Sequence, residues 1–233
     1  MDRLRATCIT ADVINSRKNK KEEQLELIAK ELNEKFSNSL LTEFTVRAGD
    51  ELFGVVNNFN DGYWAFKELF YLSKKFQVPL YVGGGFGEVG NEKLDNPDGV
   101  NGRAIWNAAD ALKILKDKKF KTRALQSLDE NFKFMFIVGD NRINDTAINY
   151  LLYFILEKIK KRTELQSKAI ELIEKNSDLT YEDIGEKLGY ERDNSKSNVS
   201  KLLSRAEHTI VKEGEQELIN LINTIYNFRE GLQ

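Results

Sequence analysis

Asp12 and Asp50 are the two residues whose types and positions suggest chemistry in this chain. Asp12 stands in Ile9-Thr10-Ala11-Asp12-Val13-Ile14, at the end of an apolar run that reads as a buried strand. Asp50 follows Gly49 in a tight turn between two apolar runs, which is a hairpin signal. Carboxylates at a strand end and a hairpin tip can converge on one edge of a sheet. The resulting hard, oxygen-rich site suits Mg2+ or Mn2+ and, through the ion, a polyphosphate. The Val13 carbonyl is an expected further ligand and Glu51 a third carboxylate, unless Glu51 turns to the other face. Gly49 lets a triphosphate approach bare backbone, and Ser16 and Arg17 follow Asp12 closely enough to face its phosphates. Taken singly, each aspartate has a plainer reading. Asp12 is a strand-ending residue partnered by Arg17, and Asp50 is the polar residue of a turn.

The elements that must position these residues follow from periodicity. Strands are expected over 6–14, 43–48, 51–57, 80–86 and 132–138, and helices over 20–38, 61–76 and 103–115. The order β-α-β-β-α-β-α-β begins as a ferredoxin-like palm. The expected fold class is therefore α+β, with a sheet carrying helices on one face over 1–140. A connecting helix over 141–162 and an all-α domain over 163–233 complete it. The Gly83-Gly84-Gly85 run has neither Rossmann nor Walker spacing. It is either a strand packed against a close neighbour or a surface for a base or ribose.

Composition narrows the class. The chain has 233 residues, 41% of them hydrophobic and 31% charged, with net charge −2. It is not basic enough as a whole to attract nucleic acid. No apolar run is long enough to span a bilayer, and no signal peptide is visible. With the lone Cys8, this suggests the cytoplasm. The lone His208 removes multi-histidine metal sites and a Ser-His-Asp triad from consideration.

Over 178–206 a short helix with Ile184 and Leu188, a glycine stop at Gly189 and a second helix with Val199, Leu202 and Leu203 resemble a winged helix-turn-helix. The intervening turn reads as about four residues too long, since Glu191 to Asn194 are taken as part of it. A wing is expected near 209–211 and a last helix over 215–228. Lys196, Ser197, Asn198, Lys201 and Arg205 are the expected contacts to double-stranded DNA. From 163 to 233 there are nine basic and fourteen acidic side chains, but from 192 to 212 the balance is five to two. That local patch fits weak DNA binding or a protein partner.

The first 140 residues resemble the nucleotidyl-cyclase and diguanylate-cyclase (GGDEF-type) palm. The resemblance rests on Asp12, on Arg47-Ala48-Gly49-Asp50-Glu51-Leu52 and on Val82-Gly83-Gly84-Gly85-Phe86-Gly87. The whole chain resembles the SatD family. That resemblance is carried by Ala11-Asp12-Val13-Ile14-Asn15-Ser16-Arg17, the Gly-Asp-Glu hairpin and Gly102-Arg103-Ala104-Ile105-Trp106-Asn107-Ala108. Ala48 departs from the first glycine of the cyclase motif and Leu52 from its phenylalanine. Asn101 and Arg103, the nearest match to the cyclase ribose and transition-state residues, are only two apart, and Ala109 stands where an arginine is expected. Lys113, Lys116, Lys118 and Lys119 offer cations but read more simply as a surface face. Together the resemblances imply a nucleoside-triphosphate-binding protein that makes or transfers a nucleotide, working as a homodimer. The alternative is a non-catalytic regulator whose palm binds a nucleotide or only dimerises.

Overall fold

Five strands form one sheet in the order β2-β3-β1-β4-β5. This computed structural model describes residues 3–90, 94, 96–117, 129–140, 142, 144–176 and 178–227. β1 (Arg3–Val13), β2 (Leu40–Arg47), β3 (Glu51–Asn57) and β4 (Leu80–Gly90) alternate with α1 (Glu22–Lys35) and α2 (Phe59–Lys75). β1 lies between β3 and β4 and is antiparallel to both, which is the split βαβ arrangement of a ferredoxin-like palm. α3 (Arg103–Lys116) then leads to β5 (Phe132–Ile137), parallel to β4. The α+β class is as expected.

The helices do not share one face. A Cβ on Gly62 of α2 would strike Thr7, so α2 covers the odd-numbered side of β1. α1 packs beside α2, and its Asn33 exchanges hydrogen bonds of 2.7 and 2.9 Å with the Phe44 backbone on edge strand β2. α3 covers the even-numbered side, where Ala104 and Ala108 pack on Ala6 and Cys8. β3, β4 and β5 run in the same direction, and both connections between them step the same way across the sheet. Because α2 and α3 lie on opposite faces, the two crossovers have opposite hands, against the near-universal right-handed rule for such units.

Bare glycine backbone makes α3's position possible. A Cβ on Gly85 would come within 2.1 Å of the Ala104 carbonyl oxygen, and one on Gly83 within 2.3 Å of that of Ala108. Between them, a Cβ on Gly84 would meet the Phe136 ring on the other face. The run is thus enclosed by helix and aromatic ring. The alternative of a base or ribose lying against it is overturned.

The opposite face carries an aromatic core. The Phe66 ring of α2 meets those of Phe134 and Phe136, each at 5.2 Å and edge-on. Such pairs add about 0.5–1.5 kcal/mol each beyond burial. β5 ends the sheet, but its backbone is not left open. Asn149 accepts from Phe136 N–H at 2.8 Å and donates to its carbonyl at 2.7 Å.

Residue contacts divide the chain into two units, Met1–Asn149 with Ile222–Gln233, and Tyr150–Leu221. The divisions fall inside α4 (Asp145–Lys160) and α8 (His208–Asn227). The end of α8 belongs to the sheet unit. There the Tyr226 hydroxyl donates to the Val138 carbonyl at 2.9 Å and its ring sits 4.6 Å from Phe86.

The second unit contains α5 (Glu164–Lys175), α6 (Tyr181–Lys187) and α7 (Arg192–Arg205), closed around Ile170, Ile184, Val199, Leu203 and Ala206. α6 and α7 approach closely because Gly185 has no side chain, and a Cβ there would lie 2.4 Å from that of Ser195. Two expectations change here. Residues 192–194 are helical, so the turn between α6 and α7 is only 188–191, the short form typical of a helix-turn-helix. Residues 209–211 lie inside α8, so no wing forms there. α5 was not anticipated, although its capping box is readable as Thr163 followed three residues later by Gln166.

Candidate functional site

The end of β1 gathers the acidic residues through strand register. Asp12 lies directly opposite Glu51 on β3, and Val13 donates its N–H to the Asp50 carbonyl at 3.0 Å on the next rung. Residues opposed across an antiparallel pair share a face, so Glu51, not Asp50, shares Asp12's side of the sheet. By ladder alternation, Asp12 and Glu51 form the non-hydrogen-bonded kind of pair, with Cα atoms about 4.5 Å apart and side chains close. Two like charges so placed repel unless a cation lies between or beside them.

Lys116, in the last turn of α3, supplies one. Its ammonium pairs with Asp12 Oδ2, the Asp12 side chain being 11% exposed and that of Lys116 50%. Arg17, the partner suggested by sequence proximity, is instead exposed in the loop after β1. Glu51 has a second neighbour, the Thr10 hydroxyl, which donates to its Oε1 at 3.2 Å.

Asp50 is in the turn itself. Its N–H bonds the Arg47 carbonyl at 3.3 Å, closing a turn with Ala48 at φ 49° and Gly49 at φ 80°. Ala48 therefore holds a left-handed conformation that glycine would adopt at less cost. Beyond the turn, the Glu22 carboxylate lies 3.4 Å from where a Gly49 Cβ would be. Ser16 is half-buried in the loop closed by Lys18 and Asn19 N–H bonds to the Asn15 carbonyl.

The end of β1 offers several oxygen atoms. Asp12, Asp50, Glu51 and the Val13 carbonyl all lie on two adjacent rungs, and all present oxygen. Among the described residues, no three acidic, histidine or cysteine side chains converge on one point.

Asn101 and Arg103 are not part of this cluster. Arg103 begins α3 beside Gly87, and Asn101 accepts from Gly90 N–H at 3.2 Å. Lys116 is thirteen residues along α3 from Arg103, about 20 Å at 1.5 Å per residue. Lys118 and Lys119 lie outside the described residues.

Residues that sequence reasoning passed over line a cavity of about 350 Å3 beneath α3. Phe53 and Leu112 contribute apolar wall, and Lys113, Lys116 and Asp117 a charged end. The Arg47 guanidinium lies flat on Phe53, 3.7 Å from the ring centroid, and donates to the Pro97 carbonyl. Its Nε is buried without a hydrogen-bond partner. Cys8 also lines the cavity. Burial pushes its thiol pKa far up, so it stays protonated and unreactive. The spacing of 105, 109, 112, 113 and 116 along one helix face was the available signal.

On α7, Lys196, Ser197, Lys201 and Arg205 are exposed and Asn198 is half-buried. Ser197, Lys201 and Arg205 recur every four residues and form one stripe. Lys196 lies 3.8 Å from Glu182, an acidic neighbour that dilutes its charge. Thr180 caps α6, and its hydroxyl and N–H both donate to Asp183, holding that carboxyl below its ordinary range.

No protein-family model matches this chain, and no curated protein matches it. The likeness to the SatD family therefore rests on its motifs alone. Among solved structures, the guanylyl cyclase Cya2 aligns over 46% of this chain and 69% of its own. The identity is 18% and the TM-score 0.27, too slight to bear on activity. No described helix is long and apolar enough to cross a membrane.

Proposed function

We propose that the sheet unit binds a nucleoside triphosphate through a divalent cation. One observation carries this reading. Asp12 and Glu51 are directly opposed at the end of β1, with Asp50 on the adjoining rung. Lys116 relieves part of the repulsion between these carboxylates, and a divalent cation would relieve it further. Asp12 and Glu51, which share a side of the sheet, would hold Mg2+ or Mn2+, with the Val13 carbonyl and Asp50 of the adjoining rung as further oxygens. Gly49, Ser16 and Arg17 border the phosphates from the loop side. The ion supplies neutralisation of polyphosphate charge and activation of an attacking hydroxyl, the chemistry of nucleotidyl transfer. Arg103 at the start of α3 and Asn101 just before it are a helix length away from Lys116 and that centre, which weighs toward binding and sensing over vigorous turnover.

The test is a melting-temperature screen against ATP, GTP, CTP and UTP, each with Mn2+, Mg2+ or EDTA. A shift that requires both metal and nucleotide supports the reading. No shift with any combination ends it.

A second reading applies to the helical unit. The compact 188–191 turn and the exposed stripe on α7 favour a helix-turn-helix that places Ser197, Lys201 and Arg205 toward duplex DNA. A nucleotide-responsive regulator combines the two readings. Retention on duplex DNA at low salt, with and without Mn2+ and triphosphate, tests that combination.

A further inference from the structure

The cavity beneath α3 is polarised along its length. Ile105 and Ala109 line its apolar part, with Phe53 across from them on β3, and Lys113 and Lys116, beside Asp117 and Glu51, line its charged part. β1 leads toward the same charged end, from Cys8 through Thr10 to Asp12. The volume of about 350 Å3 falls in the range of small-molecule sites, roughly 300–1,000 Å3. Arg47 stacked on Phe53 presents a flat surface, while Thr10 and Glu51 offer polar atoms at the wall. A purely hydrocarbon ligand would waste those groups, and inorganic polyphosphate would leave the apolar part unfilled.

We propose that this cavity takes the heteroaromatic base of a nucleoside polyphosphate. The base lies between Phe53 and the Ile105–Leu112 side of α3. The phosphates emerge at Lys113 and Lys116 and reach the carboxylates at the sheet end. This assignment rests on the nucleotide reading above and adds where the base goes. It places the ligand on the α3 face of the sheet, the side to which Asp12 and Glu51 belong.

Ala109 gives the test, because it lines the cavity while being exposed, so a larger side chain can fill the space without displacing core. Ala109→Phe and the milder Ala109→Leu are compared with wild type for binding of the four ribonucleoside triphosphates and of inorganic tripolyphosphate, all with Mn2+. Circular dichroism and melting temperature confirm folding. Wild type should bind at least one triphosphate tighter than tripolyphosphate. Ala109→Phe should weaken that triphosphate about tenfold, with a smaller effect for Ala109→Leu, and leave tripolyphosphate within about twofold. Metal-dependent triphosphate binding that both variants leave unchanged overturns the cavity assignment alone. So does a preference for tripolyphosphate. If neither ligand binds with Mn2+ in wild type, the nucleotide reading falls as well.

Discussion

Lys116 holds Asp12 from the far end of α3, while Glu51 faces Asp12 across the β1–β3 ladder. One ammonium thus stands beside two opposed carboxylates. A divalent ion bound at Asp12 would have to displace it. The proposed metal would compete with Lys116 for Asp12, and it carries the larger charge.

Lys116→Met separates competition from support. Without metal the variant leaves Asp12 facing Glu51 with no ammonium beside it, so its melting temperature should fall below wild type. Mn2+ should restore more stability in the variant than in wild type. Its Mn2+ affinity, read by titration with electron paramagnetic resonance, should rise about fivefold, the equivalent of roughly 1 kcal/mol for a half-exposed ion pair. Weaker Mn2+ binding in the variant would show that Lys116 is no competitor and that the ion, if any, sits elsewhere.

Asp50→Asn probes the adjoining rung. Asp50 contributes its carbonyl to Val13 and its N–H to the turn, and both bonds survive the substitution. Stability without ligand should therefore change by less than about 0.5 kcal/mol. The metal-dependent shift with triphosphate should shrink, and by less than with Glu51→Gln, because Glu51 shares Asp12's side of the sheet. A shift of unchanged size would remove Asp50 from the site and leave Asp12 and Glu51 as the only acidic ligands to argue from.

Gly85→Ala tests how α3 is seated. The new methyl would meet the Ala104 carbonyl oxygen at 2.1 Å, a backbone atom that cannot step aside alone. The expected cost is about 3 kcal/mol or more, measured by urea denaturation, with Gly90→Ala as a control because nothing lies within 4 Å there. A cost below about 1 kcal/mol would mean that α3 sits farther from the sheet.

That same glycine run marks where sequence reasoning stopped. Periodicity placed the strands and most helices, because alternating and three-four spacing reflect which side chains are buried. It could not say which face α3 covers, since Gly83 and Gly85 have no side chain to alternate. The pairing of Asp12 with Glu51 depends on register across β1 and β3, which local pattern does not reveal. Lys116 looked like one lysine among several, and only the position of α3 brings it to Asp12. The short turn before α7 was misjudged because Arg192-Asp193-Asn194 is polar and reads as loop, yet it forms the exposed first turn of a helix.

The stripe on α7 gives the last prediction. Ser197, Lys201 and Arg205 are exposed at four-residue spacing on a helix that follows a four-residue turn, so their charges can track a phosphate backbone together. Each phosphate contact contributes about 0.9 to the slope of log affinity against log salt. Lys201→Ala combined with Arg205→Ala should therefore lower that slope by about 2 and weaken retention on any duplex sequence alike. Both side chains are exposed, so folding should be unaffected, and circular dichroism checks this. The acidic neighbours Glu182 and Glu186, near Lys196 and Arg192, limit the attraction and make low salt the right starting condition. If wild type shows no retention there, the stripe is not a DNA surface and the helical unit is left to a protein partner. If wild type binds and the double variant keeps the full slope, the contacts come from elsewhere in the unit.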